Sequence, residues 1–424
     1  MNSYYLLVII ISLSAGFAYI NHRFIKMPFV IGLFFLSTVL SLVIFTEKWW
    51  DFQQYVEIKA ELEKVHLDSF ILDIMLGFLL FAAGLHTRWS DIRKQLTTIS
   101  VLAILGVIIS TVTVAAMLYW VCGLLNVEIS FLYCLIFGAL ISPVDPIAVL
   151  GILTKAGVSK KVESTIVGES LFNDGVGVVM FIALLETLKA GNSGFDFGHF
   201  GLLFVQEAIG GLFFGLGLGY ALYWLLKSID NYETEVLLTI AFVMAGYTFC
   251  NMLHLSGALA MVIMGLFVGN FNRNMAMSDK TQEYVHKFWE LVDVILNAIL
   301  FISIAFVLVV IDFESTHLII GLSAIFIVLL SRVIVVYVPR FFMPRIVDIS
   351  KDEAKIMVWG SLRGGLSIAL VLSLPNSEYK FILMIATYAC VVFSIMVQGL
   401  TIGKMARNIS LKQKNRESKV AANT

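Results

Sequence analysis

Five charged residues interrupt apolar stretches of this 424-residue chain. Asp145 stands in ISPVDPIAVLGIL, Glu169 and Asp174 in ESTIVGESLFNDGVGVVMF, Arg332 in LLSRVIVVYVPRF and Arg363 in VWGSLRGGLSIALVLSLP. A charge at the centre of a bilayer costs about 2.5–3.5 kcal/mol on insertion scales, so such residues face the protein interior, pair, or serve transport. Three acids against two bases leave one acid over. A carboxylate inside an apolar bundle can hold a proton or a small cation. At 100° per residue, Glu169 and Asn173 fall on one helical stripe and Ser170 and Asp174 on the next. Glue between helices accounts for Ser170 or Asn173 alone. An ionisable Asp174 beside them points to an ion site.

Two further features bear on that site. Pro143 and Pro146 flank Asp145, and prolines so close together break a helix. A broken helix at membrane depth is tolerated where it lines a cavity or is buried in protein, and its two ends carry opposite partial charges. Asp145 then either caps the second half-helix or takes part directly in ion binding. Gly364 and Gly365 interrupt a second apolar stretch next to Arg363. Arg363 reads as a structural ion-pair residue with Glu169 or Asp145 as partner. Arg332 either joins such a pair or reaches toward the cytoplasm. Glu290, Asp293 and Asn297 share one helical face, from which Asp293 could line an entrance. Asp68 and Asp73 mark the outer end of a span or line an opening there. His22, His86 and His286 read as ordinary loop residues.

The elements that must position these residues are membrane spans. The chain is 59% apolar and 14% charged, with mean hydropathy +0.91. That composition argues against a soluble enzyme, a disordered chain and a nucleic-acid binder. Apolar runs and their breaks give an all-α polytopic membrane protein of about thirteen spans. They lie near 3–20, 28–46, 67–87, 98–122, 129–153, 164–188, 201–226, 234–252, 255–270, 288–311, 316–339, 354–374 and 378–403. The first run lacks a basic flank and a small-residue cleavage site, so it reads as a retained span. The segment 47–66 is too charged to span and reads as an amphipathic surface helix at the outer interface. Residues 404–424 form a short basic tail, expected to be solvated near anionic lipid. Cys122, Cys134, Cys250 and Cys390 show no ligand or disulfide spacing and read as small buried hydrophobes.

Charge sets the orientation. Of the 29 Lys and Arg residues, only Lys48, Lys59, Lys64, Lys189 and Lys380 fall in one set of loops. Arg332 and Arg363 lie inside spans, and all the others lie in the opposite loops and the tail. The positive-inside rule then places the C-terminus in the cytoplasm and, with an odd number of spans, the N-terminus outside.

At this point the chain resembles the cation/proton antiporter-1 family, in particular its NhaP-type sodium/proton exchangers. The matching stretches are SPVDPIAV at 142–149, VGESLFNDGVGVV at 167–179, SGALAMVIMGLFVGN at 256–270, FWELVDVILNAILF at 288–301 and WGSLRGGLSIALVLSLP at 359–375. The resemblance implies an NhaA/NhaP-like fold of inverted repeats with two broken crossing helices. It implies one transporter unit over 1–403, with an interface part at about 1–95 and 200–311 and a core part at about 96–190 and 315–403. It further implies a homodimer in the inner membrane of a prokaryotic cell. Asp174 and Ser170 would hold the monovalent cation, helped by a backbone carbonyl at Val144, with Asn173 and Asp145 beside them, and Glu169 would pair with Arg363. Related exchangers with Asn at the position of Asn173 tend to be electroneutral. Two departures stand out: the family usually has Thr where this chain has Val144, and many members carry Glu where it has Ala82.

The expected activity is exchange of Na+, and also Li+, for H+. Cation and proton would compete for Asp174 while access alternates between the two sides. One exchanging carboxylate predicts one proton per monovalent cation. A K+/H+ exchanger of the same family is the nearest alternative. A cation channel is a more distant one, since no repeated filter motif appears. An intramembrane protease fails because Ser170 has no mid-span base. No cofactor motif is present, and the expected partners are membrane lipid, small inorganic ions and a second copy of the chain, with no nucleic acid.

Overall fold

A computed structural model describes residues 3–50, 52–63, 71–145, 147–189, 197–271, 278–310 and 315–422. Helices α1 (Ser3–Ile20), α2 (Phe29–Trp50), α3 (Phe52–Glu63) and α4 (Leu76–His86) open the chain. Short helical pieces over 89–105 lead into α5 (Gly106–Leu124), followed by α6 (Phe131–Ile141), α7 (Ile147–Ala156) and α8 (Lys160–Lys189). Then come α9 (Phe197–Lys227), α10 (Tyr232–Met252), α11 (Gly257–Phe271) and α12 (Asp279–Val310). The chain ends with α13 (Ser315–Phe342), α14 (Lys351–Trp359), α15 (Gly365–Leu372), α16 (Glu378–Phe393) and α17 (Gly399–Ala422).

Among the described residues nine helical stretches are long and apolar enough to cross a membrane. The other expected spans are short or interrupted. Leu76–His86 and Gly257–Asn270 are short apolar helices. The pairs α6–α7 and α14–α15 are each a span broken in two. Local chemistry sets several of the starts. Asn231 Oδ1 accepts from Thr234 N–H (2.9 Å) at α10. Ser350 and Glu353 form a reciprocal capping box at α14, and Ser377 Oγ accepts from Lys380 N–H (3.2 Å) at α16. Such caps satisfy amides that a helix start leaves without partners.

The heaviest packing falls in two sets of helices, with α8 touching both. In one, α4 and α9 pack on α11, and α12 packs on α2. Gly84 brings α4 close enough to α11 that a Cβ there would lie 2.6 Å from the Val262 carbonyl, a small-residue seam of the kind that joins membrane helices. In the other group α5 packs on α6 and α13, α13 packs on α16, and α7 packs on α17. Within this second group α5, α6–α7 and α8 follow the same plan as α13, α14–α15 and α16–α17: long helix, broken helix, long helix.

Two expectations are refined here. The surface segment expected at 47–66 is divided between α2, which runs to Trp50, and α3; residues 64–66 lie outside the described residues. Tyr55 of α3 is buried, and its hydroxyl donates to the Val309 carbonyl (3.1 Å). The tail does not begin as a solvated end. Ile402, Ala406 and Ile409 are buried, continuing one apolar stripe at helical spacing. Ser410 Oγ donates to the Gly157 carbonyl (2.8 Å) just beyond α7. The four cysteines are free and buried.

Candidate functional site

The two broken spans meet at their breaks. Residues 142–145 and 360–364 are non-helical and cross. Asp145 N–H donates to the Leu362 carbonyl (2.8 Å). Arg363 Nη1 donates to the carbonyls of Ser142 and Pro143, the latter at 2.8 Å. Val144 N–H donates to Asn173 Oδ1 of α8 (3.3 Å). Backbone groups freed by the two breaks are thus satisfied by each other and by side chains, as buried polar groups require. Gly364 makes the crossing possible, because a Cβ there would collide with the Asp145 carboxylate. Pro146 lies outside the described residues.

A cavity of about 640 Å³ reaches this crossing from one end of the bundle. Asp145, Asp174, Ser170 and Ser367 line its deep part, and His86, Arg88, Lys160 and Glu290 are exposed at its mouth. Asp174 is half-buried and lies within electrostatic reach of Asp145 and Arg363. Ser170 is buried, and so is Ser367, whose hydroxyl has no hydrogen-bond partner among the described residues. Within a largely apolar lining, these residues bring carboxylate and hydroxyl oxygens together, the donor set that suits a hard cation or a proton.

Helix α8 presents its polar residues on two stripes with different surroundings. Ser170 and Asp174 face the large cavity. Glu169 and Asn173 face a separate small void shared with Ser110, Arg332 and Arg363. Two of the expected ion-binding residues consequently lie elsewhere. Asn173 is off the large cavity and holds Val144 N–H instead. Val144 is buried and does not line the cavity, which Pro143 and Asp145 do.

The arginine assignments also change. The resemblance implied that Glu169 pairs with Arg363. In the structure the guanidinium of Arg332 clasps Glu169 with both Nη atoms, Nη2 to Oε2 at 2.8 Å. Arg332 also reaches the Met357 carbonyl (3.4 Å). Arg363 is spent on the carbonyls of the first break, a demand that comes from the crossing itself. Ala82, where the resemblance places Glu, is buried and off the cavity, whereas Ala83 lines it. The Asp73 side chain and all of Asp68 lie outside the described residues. Asp293 and Asn297 both line the cavity. His86 sits at the mouth, its Nδ1 2.7 Å from the Ala82 carbonyl. Ser367 was not singled out from the sequence. Its only signal is a hydroxyl placed just after Gly364–Gly365, in the first turn of the resumed helix.

Comparison with known proteins gives a consistent result. The profile described as "Sodium/hydrogen exchanger, transmembrane" matches residues 9–408. The chain is 42% identical over 405 residues to the Na(+)/H(+) antiporter NhaP of Pseudomonas aeruginosa, covering 94% of this chain and 95% of that one. It is 34% identical over 347 residues to the Na(+)/H(+) antiporter NhaH of Halobacillus aidingensis, covering 80% and 83%. The solved structure of the sodium proton antiporter MjNhaP1 from Methanocaldococcus jannaschii at pH 8 superposes with a TM-score of 0.74 at 18% identity, covering 96% of this chain and 98% of that chain. That last likeness is one of fold.

Proposed function

The chain belongs to the transmembrane sodium/hydrogen exchanger family, and we propose that it exchanges Na+ or Li+ for H+ by letting the two compete for Asp174. The observation that carries this is the cavity ending on Asp174 and Ser170 beside two crossing broken helices. A carboxylate holding either ligand is neutral, and only a neutralised group crosses a low-dielectric barrier cheaply. Competition combined with alternating access gives exchange with no other part. One proton per cation leaves no net charge moved. A pH difference of one unit then supplies about 1.4 kcal/mol, equivalent to a tenfold cation gradient.

The cavity mouth carries Arg88 and Lys160, on the side where the basic loops gather. By the positive-inside rule this is the cytoplasm, so the conformation is inward-open. The N-terminus is then outside, and the membrane is the inner membrane of a prokaryotic cell. The helix group containing α2, α4 and α9–α12 is the fixed part, and the group containing the crossing is the moving part. Apolar residues exposed on α1 and α9, such as Val8, Ile11, Leu202 and Phe213, suit lipid and a second copy of the chain in a homodimer.

The direct test is a proteoliposome carrying a trapped pH dye. Na+ and Li+ should dequench it, in a saturable way, with or without a voltage clamp by K+ and valinomycin. Response to K+ in place of Na+ makes this a K+/H+ exchanger. Voltage dependence removes the one-for-one stoichiometry, and unsaturable flux without counterflow indicates a channel.

The crossing makes its own prediction. Gly364→Ala must displace the Asp145 carboxylate or part the two breaks, and misplacement of about 1 Å at a reacting centre can cost roughly a hundredfold in rate. Gly123 faces open space, with nothing within 4 Å of an added Cβ. Gly123→Ala should therefore keep the wild-type rate in the same assay while Gly364→Ala loses most of it. Equal rates would mean that the contact of Gly364 with Asp145 is dispensable.

A further inference from the structure

Helix α12 brings another carboxylate to the cavity. Asp293, Asn297 and Leu300 follow at i, i+4 and i+7, so they share one helical stripe, and all three line the cavity. Leu300 lies against Gly365, where a Cβ would collide with it. The preceding residue, Gly364, carries the Asp145 carboxylate against it. The stripe thus descends onto the crossing. At 1.5 Å of rise per residue, Asn297 stands roughly 4.5 Å and Asp293 roughly 10 Å along α12 from that contact.

The pair is built rather than incidental. Asn297 is 2% exposed. Its Nδ2 donates to Asp293 Oδ1 (3.0 Å) and to the Asp293 carbonyl (2.9 Å). With that nitrogen committed, what Asn297 offers a ligand is its amide oxygen. A carboxylate with an adjacent amide oxygen is a hard-oxygen donor set, suited to a cation that still keeps part of its water shell. The charged and titratable groups around the pair are His86 of α4, Glu290 one turn up α12, and Arg88, Asp91, Lys160 and Glu163 toward the mouth.

We propose that Asp293 and Asn297 form a waiting site for a monovalent cation within the cavity, one step before Asp174. The proposal rests on the antiport reading above. A cation arriving from the open side exchanges some water for these two oxygens, then passes inward to Asp174. The site belongs to α12, so it stays with the fixed group when the crossing moves.

The test is the Na+ concentration that half-saturates dye dequenching. Asp293→Asn should raise it about fivefold, the scale of one charge contact in water-like dielectric, while the rate at saturating Na+ stays within about twofold. Asn297→Ala should move it in the same direction, and Asp293→Glu should restore it. Asn297→Ala and Asp293→Glu carry the test if Asp293→Asn does not fold. The shift should persist in 0.3 M choline chloride, because screening beyond about 10 Å is already strong at 0.1 M and contact binding survives it. Unchanged half-saturation overturns the site. A shift abolished by choline chloride also overturns it, in favour of general electrostatic attraction by the mouth. A lower saturating rate or folded yield without a change in half-saturation indicates a structural role and overturns it too. Asp174→Asn is the control that separates the two proposals. If that variant transports, the antiport reading fails; if it is inactive while Asp293→Asn behaves as wild type, only the waiting site fails.

Discussion

Asp174→Asn should abolish Na+-driven dequenching, down to the background of protein-free vesicles, and leave the protein folded. The substitution keeps size and shape and removes the one property that exchange requires, a group able to trade a proton for a cation. Folding should survive for a structural reason. The ion pairs Lys161–Asp348, Lys287–Glu283, Arg332–Glu169 and Lys355–Asp352 all form without Asp174. Arg363, within electrostatic reach of Asp174, keeps its hydrogen bonds to the Ser142 and Pro143 carbonyls when Asp174 is neutralised. A half-buried carboxylate is a burden on the fold rather than a support, so thermal unfolding of Asp174→Asn should occur at or slightly above the wild-type temperature. Transport at the wild-type rate in this variant would remove competition at Asp174 as the mechanism. Loss of both transport and monodispersity would instead make Asp174 a structural residue.

The sequence carried much of this site because helical geometry is local. The spacing of Glu169, Ser170, Asn173 and Asp174 places two residues on each of two adjacent stripes, and the structure gives those stripes different surroundings. The Pro143 and Gly364–Gly365 signals located both breaks, since proline and glycine act on the backbone where they stand. Partners chosen across helices were less legible. Arg363 lies next to a break and looks like the natural companion of Glu169. Which arginine meets Glu169, however, depends on how α13 is docked in depth and rotation, and spacing along one helix cannot give that. The docking is visible only in three dimensions, where Ser331 Oγ donates to Ser110 Oγ of α5 (3.2 Å) and puts Arg332 beside α8. The tail misled for a related reason. Its basic residues suggest solvent, whereas Ala406 and Ile409 extend the buried stripe of Ile402 along the helix that packs on α7. Ser367 is the converse case, since one hydroxyl in an apolar run acquires meaning only when the cavity is seen to reach it.

Arg332→Ala should be the most damaging change to stability, and its rescue identifies the partner. Glu169 and Arg332 are 2% and 5% exposed. Breaking a buried ion pair by removing one member costs about 3–5 kcal/mol, because the remaining charge stays buried without compensation. Total stabilities run near 5–15 kcal/mol, so such a loss should sharply lower folded yield and the temperature at which size-exclusion monodispersity is lost. Adding Glu169→Gln removes the stranded charge, so the double variant should recover part of both. Arg363→Ala should also destabilise, but through different atoms, by freeing the Ser142 and Pro143 carbonyls at the crossing. Glu169 is held by Arg332 and not by Arg363, so Glu169→Gln should not rescue it. The two double-mutant cycles, measured on the same detergent-solubilised protein, therefore predict coupling between positions 169 and 332 and near-additivity between 169 and 363. The reverse pattern would return Arg363 to Glu169 and detach the crossing from the arginine that holds it here.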